Sequence, residues 1–239
     1  KEKALLNSSE GGNGGGNGGG NKGSNSGGGS SGTGSGGYVG NVSFAYNRDE
    51  MSNDDGTALP FYDLNSAQWA VEYINDMAKR EIINGYADGS FRPEAAITRA
   101  EFAKIAASAF SLTDSGASSS FEDVPADDWC YKYVSSLNKL GVIRGTSEVL
   151  FGKDELISRQ DMAVILHRIM QYKDMEEPEA KPSFADTAEI SDYALDSVGI
   201  MQSMGIISGT DENCFDPHGC TTRAQAAKVV SLLMQRVGI

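Results

Sequence analysis

A glycine, a phenylalanine and an arginine recur in step along this chain, and that periodicity limits the folds open to it more than any other feature. Gly85, Phe91 and Arg99 return 60 residues later as Gly145, Phe151 and Arg159, and again 64 residues later as Gly209, Phe215 and Arg223. Their surroundings return with them. Phe61-Tyr62-Asp63, Phe121-Glu122-Asp123 and Phe184-Ala185-Asp186 open three units, a large aromatic follows (Trp69, Trp129 or Tyr193), and Ile82-Ile83-Asn84, Val142-Ile143-Arg144 and Ile206-Ile207-Ser208 lead into the glycine. Self-similarity at a fixed period is the mark of a repeat architecture. A unit of about 60 residues buries only about 60% of the surface its unfolded chain exposes and is marginal alone. The units, residues 61–120, 121–183 and 184–239, are therefore expected to share one core, most simply as a pseudo-threefold helical assembly.

Each unit reads as two helices. Trp69, Tyr73, Ile74 and Met77 fall on one face at helical spacing, as do Trp129, Tyr133, Leu137 and Leu140. Gly85, Gly145 and Gly209 stand where a left-handed residue would end that first helix. After a loop of about a dozen residues, turned by Asp88-Gly89 and Pro93 in the first unit and Pro217 in the third, a second helix begins. Its start is Thr98-Arg99-Ala100-Glu101, Ser158-Arg159-Gln160-Asp161 or Thr222-Arg223-Ala224-Gln225. This is a capping box, in which the hydroxyl accepts from the third amide while Glu101 or Gln225 reaches back, with Asp161 as a shorter substitute. Phe102, Ile105 and Ala109, then Met162, Ile165 and Ile169, then Ala226, Val229 and Leu233 mark its buried face. The fold class predicted is all-α, any strand being a short extra in the loops.

Sixteen of the 29 glycines lie within residues 1–37, a Gly/Ser/Asn composition with nothing to bury, so that stretch is expected to be a flexible linker tethering the repeats to a further module upstream. Residues 38–60 form a connecting segment whose weak alternation (Val39, Val42, Phe44, Tyr46) suits either a short strand or a strap against the first repeat. The chain carries a formal charge of −13, and residues 41–239 hold 17 basic against 31 acidic groups. Such a body is repelled by nucleic acid and by anionic membrane surfaces, so an anionic partner needs locally placed cations. No apolar run spans a bilayer, which argues against membrane insertion. Cys214 and Cys220 are near enough in sequence either to bridge in an oxidising compartment or to remain two small thiols.

The arginines carry the functional argument. Arg99, Arg159 and Arg223 each sit in the first turn of a helix, where the macrodipole disfavours a cation by roughly 0.3 to 1 kcal/mol. A local rule broken three times suggests that a guanidinium and a helix N-terminus together receive a carboxylate or phosphate. The alternative is structural pairing with Asp63, Asp123, Asp186 or another acid. Those aspartates are either turn residues or acceptors for sugar hydroxyls. Trp69, Trp129 and Tyr193 are either core or platforms for a sugar ring, and the three glycines either cap or admit a ligand to bare backbone.

Taken together, the Phe-x-Asp opening, the aromatic, Ile-Ile-x-Gly, Tyr86-x-Asp88-Gly89-x-Phe91-x-Pro93 and Ile97-Thr98-Arg99-Ala100-Glu101 resemble the S-layer homology domain, found as a triplet at one end of bacterial surface proteins. The likeness covers Phe61 to Ile239. It implies a three-pronged helical spindle and a non-catalytic role at the cell wall or surface layer, without cofactor or metal. The implied ligand is secondary cell-wall polysaccharide, typically through pyruvylated N-acetylmannosamine, held in grooves between the repeats, with self-association in a surface layer as a further implied contact. Carried over by motif, the glycan-binding candidates are Arg99, Arg159, Arg223, Gly85, Gly145, Gly209, Asp63, Asp123, Asp186, Trp69 and Trp129. A ketal-linked pyruvate puts a carboxylate on a neutral sugar, the kind of small anion a placed arginine can take despite an acidic body. The sequence departs from the family at Ser158-Arg159-Gln160-Asp161, at Ser147-Glu148-Val149-Leu150, which replaces the Asp-Gly loop, and at Tyr193 and Gln225.

Two other classes stand beside this reading. One is a calcium-dependent or protein-docking surface module, although the loop from Asn84 has Tyr86 at its third position and Ala95 at its twelfth, where calcium loops place ligands. The other is an accessory domain of a secreted glycoside hydrolase. His167 and His218 fall in no metalloprotease or nucleophile-elbow pattern.

Overall fold

A computed structural model describes residues 61–210 and 212–239. The linker 1–37 and the connecting segment 38–60 lie outside the described residues. Among the described residues six α-helices follow one another: α1 (Val71–Lys79), α2 (Arg99–Ala109), α3 (Tyr131–Lys139), α4 (Arg159–Tyr172), α5 (Leu195–Ser203) and α6 (Arg223–Val237). Among the described residues there is no strand, only three isolated bridges.

Helices α1, α3 and α5 have nine residues each, too short to hold in water without tertiary burial. Burial comes from Ile74 and Met77 in α1 and from Val134 and Leu137 in α3. The inward register is set one residue later than the aromatic. Ala70 and Cys130 are fully buried, while Trp69 and Trp129 are about half exposed (48% and 46%). The expected Trp-led core face is corrected on that point. Trp69 belongs to a 3-10 stretch, Leu64–Ala70, that ends as α1 starts, so it does not share the α-helical face of Ile74.

The glycines are corrected as well. Glu81, Gly141 and Gly205 adopt the left-handed conformation just after α1, α3 and α5 (φ 57°, 72° and 71°), whereas Gly85, Gly145 and Gly209 keep ordinary backbone angles. These last three lack a side chain for reasons of space. A Cβ on Gly85 would sit 2.6 Å from the Ser90 carbonyl oxygen and 2.3 Å from Phe61 Cε1, and one on Gly145 would overlap the carbonyls of Leu150 and Ser147 and the ring of Phe121. Phe61, Phe121 and Phe184 in turn pack on Phe91, Phe151 and Phe215 with ring centroids 5.1, 5.8 and 5.3 Å apart. Phenylalanine, glycine and phenylalanine therefore form one contact per repeat, which is why they advance together along the chain.

The second helices begin as expected. Thr98 Oγ1 accepts from Glu101 N at 3.2 Å while Glu101 Oε2 accepts from Thr98 N at 2.8 Å, and Thr222 and Gln225 repeat the pattern. Ser158 caps Asp161 N at 3.2 Å, but the Asp161 carboxylate is engaged elsewhere.

Helices of one repeat are not each other's main partners. The chief packing pairs are α2 with α3, α4 with α5 and α6 with α1, so every pair joins the second helix of one repeat to the first helix of the next and the third repeat closes on the first. At the centre the closure is made in backbone. Ile97 N donates to Thr221 O, Thr221 N to Ile157 O and Ile157 N to Ile97 O, each at 3.0 Å. These three residues, equivalent in the repeat, are fully buried. A ring of this kind satisfies three buried donors and three buried acceptors at once, and it does so only if all three repeats are present.

Candidate functional site: clefts between successive repeats

The three repeated arginines are buried, with 4 to 8% of their surface exposed, and each reaches into the following repeat. Arg99 donates from Nε to Phe151 O and from Nη2 to Arg144 O, both at 3.0 Å. Arg159 donates to Phe215 O at 2.7 Å and Ser208 O at 3.4 Å. Arg223 donates to Phe91 O and Asn84 O, both at 2.8 Å. A guanidinium has five N–H donors, so this stapling leaves the outer edge of each fork for other partners. Arg99 gives Nη1 to Asp161 at 3.3 Å; Arg159 and Arg223 form no ion pair among the described residues. Burial lowers the pKa of Arg159, opposed by the fields of Asp216 and Asp186, and a guanidinium so placed stays charged.

The expectation that helix-start amides stand open beside these arginines is corrected. Arg99 N and Ala100 N donate to Glu155 O and Lys153 O, Arg159 N and Gln160 N to Gly219 O and Pro217 O, and Arg223 N and Ala224 N to Ala95 O and Pro93 O. With the cap hydroxyl on the third amide, the first turn is consumed by the loop of the next repeat, the first repeat serving as the next for the third. Only side chains are left to receive an anion.

The aspartates are engaged within their own repeats. Asp63 accepts from Phe91 N and Arg92 N, and Asp186 from Phe215 N and Asp216 N, all at 2.7 Å. Asp123 accepts from Phe151 N, Gly152 N and Lys153 N at 2.7 to 2.9 Å. Burial opposes the ionised form of Asp123 and Asp186, but the backbone amides outweigh it and hold both below the usual carboxylate value. They act as clasps of the loop and do not line the two clefts described next.

One cleft of about 450 Å³ has Arg99 at its floor, with Arg144, Gly145, Thr146, Asp161 and Arg168 along its walls and Tyr193 of the third repeat at its rim. Tyr193 Oη donates to Asp161 Oδ1 at 2.8 Å; burial and that carboxylate push the phenol up to about 12. The other, about 430 Å³, has Arg159 at its floor, Ser208, Gly209, Thr210 and Gln225 in its walls, and Trp69 of the first repeat with Lys228 at its rim. The Lys228 ammonium stands 5.4 Å from the Trp69 ring centroid. Around Arg223 the place of Thr146 and Thr210 is taken by Tyr86, whose ring lies 5.1 Å from the guanidinium carbon. All three joints thus share the staple, but their walls differ.

Of the residues picked from the sequence, Arg99 and Gly145 meet in one cleft and Arg159, Gly209 and Trp69 in the other. Gly85 and Arg223 belong to the third joint, and Trp129, about half exposed, lines neither of the two clefts. Sequence reasoning missed Arg144, Arg168, Thr146, Thr210 and Lys228. The overlooked signal was position within the repeat. Lys104 and Lys228 fall five residues after the arginine, off the core face of the second helix, and Arg144 immediately precedes the repeated glycine of its own loop. Among the described residues no group of three or more metal-ligating side chains stands together, no helix is long and apolar enough to cross a membrane, and Cys130, Cys214 and Cys220 are free thiols.

A closed ring of three helix-loop-helix repeats, with a stapled arginine at each joint and a cleft beside two of them, defines a module built by repetition. The S-layer homology domain matches at residues 60–103, 120–163 and 183–227, together more than half of the chain. The chain belongs to the S-layer homology domain family, and it is a cell-surface anchoring module associated with the bacterial cell wall or S-layer. It is 30% identical over 182 residues to an endoglucanase of Bacillus sp. (strain KSM-635), covering 75% of this chain and 19% of the enzyme. It is 33% identical to an amylopullulanase of Thermoanaerobacterium thermosulfurigenes, covering 71% and 9%, and 28% identical to the S-layer protein EA1 of Bacillus anthracis, covering 74% and 20%. The chain thus spans a fifth or less of each of these relatives, and the repeats are the part it shares with them.

Proposed function

We propose that this module attaches its parent protein to the cell wall without catalysis, by holding an acid-bearing sugar of secondary cell-wall polysaccharide, of the pyruvylated N-acetylmannosamine type, in the clefts between repeats. The observation that carries the reading is the Arg159 cleft. A guanidinium already stapled by two backbone carbonyls faces a cleft of about 430 Å³, in the size range of small-ligand sites, with an exposed tryptophan at the rim. Stapling removes the rotamer entropy an arginine otherwise loses on binding, and a charge-assisted contact in such a site contributes about 1.5 to 3 kcal/mol. That suffices for a locally placed anion while the body as a whole is acidic.

The two large clefts are unequal in this reading. In the Arg99 cleft a carboxylate, Asp161, already occupies the guanidinium, whereas the Arg159 cleft has Gln225 in the equivalent place and no carboxylate among its described lining residues. The Arg159 cleft is therefore the principal site for a monocarboxylate. The test is co-sedimentation of the chain with purified wall sacculi before and after chemical removal of the pyruvate ketal. Retention on intact sacculi and loss on stripped ones is expected; equal retention on both defeats the carboxylate mechanism.

A further inference from the structure

The second repeat departs from the other two at positions that meet on one cleft. Arg144 stands where they have Asn84 and Ser208, and Arg168 where they have Ser108 and Leu232. Val164 replaces Lys104 and Lys228, so on α4 the cation has moved four residues, about one helical turn along the same face. Both guanidiniums join Arg99 in lining the cleft of about 450 Å³, whose only carboxylate among the described lining residues is Asp161. Three cations against one anion leave a formal charge of +2 in one cleft of a chain whose total is −13.

That carboxylate is already engaged. Asp161 accepts from Arg99 Nη1 at 3.3 Å on one oxygen and from Tyr193 Oη at 2.8 Å on the other. Arg144 gives its carbonyl to Arg99, but its guanidinium forms no hydrogen bond or ion pair among the described residues. Arg168 is partly buried and has a single long hydrogen bond, from Nη1 to Val142 O at 3.4 Å. Burial, and then the charge of Arg144, lower its pKa, opposed by Asp161 and Tyr193. Two guanidiniums that repel each other without a counter-ion between them destabilise the fold, and an anion seated there removes the repulsion.

We propose that the Arg99 cleft holds a phosphoryl group bridged between Arg144 and Arg168. A carboxylate presents two coplanar oxygens that one guanidinium fork satisfies, whereas a phosphoryl group spreads its oxygens tetrahedrally and accepts from two forks at once. Thr146 on the cleft wall adds a hydroxyl donor. This chemistry does not depend on the pyruvate reading of the Arg159 cleft, where neither arginine has a counterpart. Its two sources are a sugar phosphate of a wall polymer and free inorganic phosphate.

The test is nuclear magnetic resonance of the arginine side-chain Nε–Hε groups in the full chain, titrated at constant ionic strength with inorganic phosphate, with N-acetylglucosamine 1-phosphate and with acetate. The Arg144 and Arg168 signals are expected to shift together and to saturate with both phosphates, with acetate bound at least about tenfold more weakly. Arg144→Ser and Arg168→Leu install the residues of the third repeat, and the first keeps the backbone carbonyl that Arg99 holds. Each should weaken phosphate binding about tenfold at unchanged Tm. Tighter binding of the sugar phosphate identifies a glycan-borne group, and tighter binding of inorganic phosphate the free ion. Three results overturn the proposal: acetate bound as tightly as phosphate, shifts that rise without saturating, or either variant binding phosphate like the unaltered chain. No probe carries a pyruvate ketal, so failure here and failure of the sacculus experiment are separate results.

Discussion

Replacing Gly145 by alanine tests whether the repeated glycine exists for space or for backbone conformation. Its φ is not left-handed, so the conformational penalty is absent and the cost is steric alone. The new methyl group would overlap the carbonyl oxygens of Leu150 and Ser147 and stand 2.7 Å from Phe121 Cε1. Two of those three neighbours are backbone, in a loop whose Phe151 amide is clasped by Asp123 and whose Phe151 carbonyl is stapled by Arg99, so the site cannot open by rotating a side chain. Overpacking of this kind costs about 1 to 3 kcal/mol, occasionally more, and G145A belongs at or above the upper end, near 3 kcal/mol. For a domain of this size that is a Tm lowered by about 6 to 12 °C. Gly209, at the equivalent place in the third repeat, has its nearest atom, Cys214 O, at 3.1 Å. G209A should cost about 1 kcal/mol, or roughly 2 to 4 °C. G141A meets no atom within 4 Å but has φ +72°, and strain alone should cost about 1 kcal/mol. Thermal unfolding followed by far-ultraviolet circular dichroism ranks the three. A G145A variant that loses no more than G209A or G141A refutes the steric account.

Three further outcomes are expected. R159K keeps the charge but cannot reproduce the fork to Phe215 O and Ser208 O, so it should lose about 1 to 3 kcal/mol in chemical denaturation; unchanged stability would show that the staple contributes nothing. W69A removes a half-exposed ring, so Tm should hold within about 2 °C, while retention on sacculi weakens about fivefold, equivalent to about 1 kcal/mol; full retention would remove Trp69 from the site. Asp123 has a folded pKa held below its ordinary value, so its stabilisation is complete above the unfolded pKa of about 4 and is lost as pH falls through the lower folded value. D123N should flatten the decline of Tm below about pH 4, and an unaltered acid limb would contradict the clasp.

Much of this molecule was legible in its sequence because the signals are local. The capping boxes at Thr98 and Thr222 involve residues three apart, and the buried faces of α2, α4 and α6 follow a 3.6-residue period. What eluded the sequence reading involved partners distant in the chain. Trp69 shares a helical spacing with Ile74, but the change from 3-10 to α geometry at Val71 turns it outward. Gly85 follows a helix at a distance compatible with a cap, and only the Phe61 ring and the Ser90 carbonyl reveal that its role is close approach. The helix-start amides beside Arg99 looked open because Glu155 and Lys153, which fill them, lie more than 50 residues away.

The sequence by itself determined that there are three equivalent helical repeats, where each second helix starts, and that the arginines recur. Which helices embrace was decided only in three dimensions. A repeat of this length cannot bury its own first helix, and three arginines each binding the carbonyls of the next repeat can all be satisfied only if the last returns to the first. That cyclic condition couples Arg223 to Asn84 across 139 residues. No spacing rule within a single repeat encodes it, and the clefts lie at the joints it creates.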